Sequence, residues 1–544
     1  MPQVREDDRL SSGDALFLHL EREGMPLNVA SVSIFDGTIP LRACRKFIES
    51  KVPHIPRYHQ RIMTSPFNLG LPRWEDDPQF DIRNHVTQLT LKTGTDAELK
   101  KVAGQVLSKV MDRSRPLWDF TLVQGLKNNR TAIITRMHHC LADGLAGVSL
   151  LTAIMDQRPD APSNPKPFKR APAPHRPQAP TLLNELITSS LSMAQQLLVA
   201  QREVTAMVEH ALAPADSHKP SQDVNKFASN GAIPSPDQWA RYFPELGSAT
   251  QPLPFNIICR GPQKFACAEI PLSEIKAVKN AFGATVNEVV LTIFTDMFRR
   301  YSETRGVNPR GRLLRVVVPV NVRGGESASD LGNRITFLPV SVPLGIRNPK
   351  KLLKAIQQRM AFLKNAHVAE CVGLFGTVLG TIPTAAQMLI APIVSQLPLG
   401  LCNTICTNVP GPQVPLYMLG RKLIRCFPYV PIGGDIGINC ALLTYDGIAH
   451  FGFTGDSHAA PDLAALEKLL LSSFADLQKL AGLRPERRPR KIAARKSAPL
   501  KTEQPFPAGE TKLETVQTEP SIPMKPSVPL APEKKEDSAI HIGA

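Results

Sequence analysis

The chain has 544 residues, of which 42% are hydrophobic and 50 are proline, and its formal net charge is +16. That length exceeds one ordinary core, so two domains with extra segments are expected of a globular protein. The basic balance points to anionic partners such as phosphate-bearing substrates or lipid surfaces, but no nucleic-acid module or aromatic platform accompanies it, so nucleic acid is not an expected partner.

Nine scattered cysteines, an odd number in a long chain, argue against a disulfide framework and for reduced thiols in a cytosolic protein. Cys402 and Cys406 lack a second ligand pair at zinc spacing. No run of about 20 apolar residues predicts a membrane span, and the first residues carry no apolar signal core.

In chain order, residues 14–35 predict a short helix, with Asp14 as its N-cap, and then a strand alternating through VASVSIF. Helices are expected over 40–50 and 98–111. Residues 131–140, TAIITRMHHC, read as a buried strand that runs into RMHHCLADGLAG at 136–147. A helix over 145–155 leaves that motif, so the motif lies at a strand-to-helix junction with Gly144 as its flexible residue.

Residues 158–177 are proline-rich and basic, which predicts a linker, and 181–213 carry apolar positions on one helical face. A second domain is expected over 252–483. It has strands at 264–272, 312–323 and 335–344, and helices at 273–282, 285–301 and 351–367. From Cys371 to Gly420 no charged residue occurs, which suits core, a tunnel lining or a surface dipping into lipid. Two strands around a Tyr-Asp-Gly-Ile turn are expected in 434–456, then a helix over 461–481. Residues 484–501 hold eight Lys or Arg and one acid, a pattern able to bind anionic lipid. The rest of the tail is too polar and proline-rich to offset its chain entropy, so disorder is expected.

The adjacent His138 and His139, followed by Asp143-Gly144, ask for a chemical reason. Imidazole is the side chain best matched to taking a proton near neutral pH. An alcohol attacks poorly until a base removes its proton. Only one ring can point at a given substrate atom, so the other is structural. Asp143 would orient a ring or lock the loop through an arginine, and Gly144 lets the backbone turn. From these residues alone, a satisfied core histidine pair beside a turn is an equal alternative.

HHCLADG matches the HHxxxDG motif of the CoA-dependent acyltransferase superfamily, shared with peptide condensation domains and chloramphenicol acetyltransferases. Five further segments, DALFLHLEREGMPLNVASVSIFDG, RSRPLWDF, TVNEVVLT, LGNRITFLPVSVPL and TNVPGP, occur in the order seen in bacterial wax ester synthase/diacylglycerol acyltransferases. The resemblance covers most of residues 11–483.

It implies an α/β fold of two chloramphenicol-acetyltransferase-like domains with a tunnel between them. The domains would be 1–157 and 252–483, joined by a linker and crossover helix over 158–251 and followed by a disordered tail over 484–544. The implied reaction moves an acyl group from acyl-CoA to a long-chain alcohol or diacylglycerol, with acyl-CoA as co-substrate and no other cofactor or metal. His139 matches the catalytic base; His138, Asp143 and Gly144 would shape its loop. Asn287 would position substrate or stabilise an oxyanion, and Glu288 stands where the family has Asp, which puts a tight hydrogen bond there in question. Glu21, the aromatic wall of Trp118, and Asn408 in a stiff Pro-Gly turn would contact substrate. The protein would be cytoplasmic, in peripheral contact with membrane or lipid inclusions. A carrier-dependent condensation enzyme and a non-catalytic lipid-body protein remain rival readings.

Overall fold

The structure, a computed structural model, describes residues 9–64, 70–141, 144–160, 249–321, 335–365 and 384–483, with single positions 187, 190, 198 and 382. Asp143, most of the proline-rich linker, the expected helix over 181–213 and the tail from 484 lie outside the described residues.

The first half runs α1 (Ser12–Leu20), β1 (Asn28–Asp36), α2 (Leu41–Lys51), β2 (Gln60–Met63), β3 (Arg73–Asp76), α3 (Ile82–His85), β4 (Val86–Thr90), α4 (Asp96–Leu107), β5 (Trp118–Leu126), β6 (Arg130–His138) and α5 (Gly144–Ile154). The second runs β7 (Gln263–Pro271), α6 (Leu272–Ala281), α7 (Val286–Thr304), β8 (Leu313–Asn321), β9 (Ile335–Pro343), α8 (Pro349–Asn365), α9 (Thr384–Val394), β10 (Thr404–Pro410), β11 (Tyr417–Met418), β12 (Arg421–Tyr429), β13 (Ile438–Tyr445), β14 (Ile448–Asp456) and α10 (Ala465–Leu480).

These strands build two six-stranded mixed sheets, ordered β11-β12-β1-β6-β5-β4 and β7-β14-β13-β10-β8-β9. The inner strands β6, β13 and β14 are buried along nearly their whole length. Layers cover both faces, so these strands read as apolar runs rather than alternating ones. The second core packs α7 and α10 on the sheet, with Phe294 edge-on to Phe451 at 5.8 Å.

Two local expectations change. The N-cap of α1 is Ser11, whose Oγ accepts the Asp14 N–H at 3.0 Å. Asp14 instead sits in the first turn, where its carboxylate meets the positive end of the helix. The expected boundary at 251/252 also does not divide the sheets. β11 and β12, from the second half, complete the first sheet, and β12 pairs antiparallel with β1 from Ala30–Tyr429 onward. Without that strand, β1 would leave its backbone groups unpaired on one side. The described residues accordingly cluster as one compact unit.

The two sheets approach closely at one point. A Cβ placed on Gly452 of β14 would lie 1.8 Å from the Pro428 carbonyl oxygen of β12. Among the described residues no single helix is long and apolar enough to cross a membrane.

Candidate active site

The site is built where β6 ends. His138, its last residue, has no exposed surface and lies opposite Asn28 of β1. Its Nδ1 accepts the Cys140 N–H at 3.2 Å. A neutral ring must therefore carry its proton on Nε2, which lies 3.5 Å from Glu21 Oε1.

Glu21 ends α1 with its side chain out of contact with solvent. Its carboxylate accepts the Leu27 N–H at 3.0 Å and Arg113 Nη2 at 3.1 Å, and Arg113 also donates to the Leu18 carbonyl at 2.7 Å. Burial pushes the Glu21 carboxyl up, but His138, the Leu27 N–H and Arg113 together outweigh it, and the group titrates below its ordinary range.

His139 follows on the other side of the chain. Its N–H donates to the Leu27 carbonyl at 2.9 Å. Leu27 thus ties the Glu21 carboxylate, through its N–H, to the His139 backbone, through its C=O. The His139 ring stacks on Phe17 at 4.0 Å and 14° and forms part of a cavity wall. Burial, the main cause, and the neighbouring His138 push its pKa down to about 4, against a hydrogen bond to its own backbone. The ring is therefore neutral throughout the physiological range, the form that accepts a proton.

The cavity holds about 1270 Å³, above the ~300–1,000 Å³ that suits drug-sized ligands. Its walls come from both sheets and their helices, with Val29 and Leu151 on one side and Val318 and Ile405 on the other. Apart from His139 and the phenols of Tyr58 and Tyr429, its charged or titratable lining among the described residues is Lys364 and Asp435. It can therefore hold long apolar chains with few competing polar contacts.

The structure brings Asn287 and Asn408 together on this wall. Asn287 lies in the first turn of α7 and Asn408 on β10, and Asn408 Nδ2 donates to Asn287 Oδ1. Accepting that bond with its oxygen leaves the Asn287 amide hydrogens oriented for other acceptors. Glu288 does not weaken this corner. Its carboxylate accepts the Thr285 N–H at 2.8 Å while Thr285 Oγ accepts the Glu288 N–H at 3.2 Å, a capping box that starts α7. The extra methylene relative to Asp supplies the reach. The Thr-x-x-Glu spacing was visible in the sequence as a helix start.

Two expected contacts are placed elsewhere, and one expected turn takes another form. Trp118 is core: its ring stacks between Tyr58 and His85, each at 4.4 Å, and its Nε1 donates to the Tyr58 carbonyl at 2.8 Å. It does not line the cavity, although Tyr58 does. Glu21 holds His138 and Leu27 rather than facing the cavity. The Pro-Gly turn at 410–411 is the end of strand β10, and Gly411 lacks the positive φ of a type II turn. Gly411 is required by proximity, since a Cβ there would lie 2.4 Å from the Thr444 carbonyl oxygen. Gly144 opens α5. Sequence reading missed Phe17, Leu27 and Arg113. Only Phe17 left a signal, four positions before Glu21 and so on the same helical face.

Two mixed sheets sharing one deep apolar cavity, with a neutral histidine on its wall, place the chain among two-sheet acyltransferase and condensation-type folds. The wax ester synthase/diacylglycerol acyltransferase from Marinobacter aquaeolei VT8 has this fold, with a TM-score of 0.59, 23% identity and coverage of 87% of this chain and 100% of that one. The first condensation domain of the CDA synthetase is similar at a TM-score of 0.51 and 13% identity, covering 87% and 97% of the two chains. Residues 10–290 match the wax ester synthase/diacylglycerol acyltransferase catalytic domain, and residues 331–478 match the C-terminal domain of the same family. The chain belongs to this family and is an O-acyltransferase. Among its relatives in Mycobacterium tuberculosis, tgs1, described as a "probable diacylglycerol O-acyltransferase", is 25% identical over 478 residues, covering 86% of this chain and 96% of its own. The similarly described tgs2 is 26% identical over 485 residues, covering 88% and 100%.

Proposed function

We propose that the protein transfers a long-chain acyl group from acyl-CoA to diacylglycerol or a long-chain alcohol, forming triacylglycerol or wax ester, with His139 as general base. The observation that carries the assignment is the His139 ring: neutral, stacked on Phe17, and facing an apolar cavity of about 1270 Å³. The imidazole takes the acceptor hydroxyl proton as the oxygen attacks the thioester carbon. The tetrahedral oxyanion draws on the Asn287 amide, which Asn408 holds in place. The C–S bond then breaks, and the proton on His139 passes to the CoA sulfur. No acyl-enzyme, metal or further cofactor is needed. His138 and Glu21 are positioning residues, and Gly144 lets the chain turn into α5; Asp143 lies outside the described residues.

The test is thiol release from palmitoyl-CoA with hexadecanol or a diacylglycerol, by wild type and His139→Ala, with product chromatography. Loss of about 10²–10⁴-fold in rate by a folded variant is expected for a general base. Full activity in the variant refutes the assignment, and no thiol release by either protein favours a non-catalytic or carrier-dependent role. The product names the preferred acceptor.

The protein works in the cytoplasm at a membrane or lipid-inclusion surface. The basic segment 484–501 contributes attraction to anionic lipid of about 1 kcal/mol per residue near the surface. Removing residues 484–544 weakens binding to anionic vesicles at low salt and spares turnover of dispersed substrate; unchanged binding would refute this contribution.

A further inference from the structure

Helix α9 is inside out. The side chains it buries are Thr384, Gln387, Ala391 and Ser395 just past its end, a small and polar row at helical spacing. These groups are partnered inward: Gln387 Nε2 donates to the Ile382 carbonyl at 2.9 Å, and Ser395 Oγ donates to the Pro392 carbonyl at 2.9 Å while accepting from Arg22 Nε at 3.3 Å. The outward side chains are Met388, Leu389, Ile390 and Ile393, with Leu389 70% and Ile393 62% exposed. A surface helix in water has the opposite arrangement.

The apolar face continues into the following segment, where Leu397, Leu399 and Leu401 are exposed as well. Ile390, Leu397, Leu399 and Leu401 also line the cavity. The exposed face and the cavity wall are therefore one apolar surface, and α1, which carries Phe17, packs against α9. Residues 371–420 contain no charge, although the whole chain is 21% charged. A protein partner of ordinary surface composition would find no ionic rim on this segment.

We infer that the outward face of α9 and residues 397–401 insert into a lipid surface and join the cavity mouth to it. Acceptor and ester product then pass between lipid and cavity without crossing water. The inference rests on the acyl transfer proposed above, since apolar acceptors and products give the continuity its use. It differs from the role given to the basic tail, because the contact is hydrophobic and persists at high salt.

The experiment compares full-length wild type with Leu389→Glu/Ile393→Glu, two positions outside the cavity lining. Flotation with neutral phosphatidylcholine vesicles at high salt removes the electrostatic contribution. The variant's partition coefficient is expected to fall about 10- to 100-fold, given the apolar area withdrawn from lipid. Its turnover of vesicle-borne diacylglycerol falls in parallel, while turnover of a water-soluble short-chain alcohol is retained. Leu389→Trp gives a second reading that depends on no loss of function: its emission is quenched by brominated phosphatidylcholine. Absence of quenching, or unchanged flotation of the double variant, overturns the inference. So does a wild-type dimer that the double variant splits while vesicle binding stays unchanged, which would make the face a contact between two copies. If wild type forms no ester with any acceptor, the proposed function fails, but flotation and quenching still decide whether this face enters lipid.

Discussion

Replacing Glu21 tests how His139 is held. In Glu21→Ala the Leu27 N–H loses its buried acceptor, Arg113 loses its carboxylate, and His138 Nε2 faces a void. Removing one member of a buried ionic cluster costs about 3–5 kcal/mol. Arg113 is 45% exposed and can rehydrate, which places the effect at the lower end of that range. Glu21→Gln keeps one oxygen for Leu27 but must aim its NH2 at Arg113 or at the His138 proton, so about 1–3 kcal/mol is expected. Cys140 N–H already occupies His138 Nδ1, so that ring cannot change tautomer to relieve the clash. Because the Leu27 carbonyl also accepts the His139 N–H, displacement of Leu27 moves the His139 ring. A drop in kcat of about 10- to 100-fold follows from a shift of this size, with KM changed much less. Urea unfolding gives the stability and thiol release the rates. If Glu21→Ala unfolds within 0.5 kcal/mol of wild type, roughly the range of a neutral surface substitution, and retains its kcat, Glu21 does not organise the site.

Three further outcomes follow from the same geometry. His139 is neutral down to about pH 4, so kcat/KM should show no break near the ordinary histidine value of about 6.5; a break there refutes the depressed value. Stability behaves differently. Burial, aided by Arg425, also pushes His450 down to about 4, so between about pH 6.5 and 4 the unfolded chain binds protons that the native state refuses. Stability therefore falls as pH drops through that window, by at most about 1.4 kcal/mol per pH unit for each histidine. Melting temperatures across the range check this, and His450→Phe should flatten the slope. Finally, Gly452→Ala drives a methyl into the Pro428 carbonyl; a loss of about 3 kcal/mol is expected, read as a lower urea midpoint, and an unchanged midpoint would mean that the sheets can separate there.

Local chemistry was legible along the chain. Apolar runs marked β6, β13 and β14, and the periodic segments marked α7 and α8, because burial imposes a pattern on contiguous residues. The paired histidines at a strand end left a proton acceptor and a satisfied core pair as equal alternatives, and the remaining motifs pointed to the family to which the chain belongs. Tertiary structure alone decided which groups meet. β12 crosses to the first sheet because an unpaired edge of β1 needs a strand, and no local pattern records which strand will come. Trp118 reads the same in sequence whether it faces core or substrate; its stacking between Tyr58 and His85 settles it. Glu21 lies 117 positions before His138, and only folding places its carboxylate beside that ring. The apolar side chains of α9 could equally have filled a core. Their outward direction depends on what α1 and Arg22 offer on the other side, and that is a property of packing rather than of sequence.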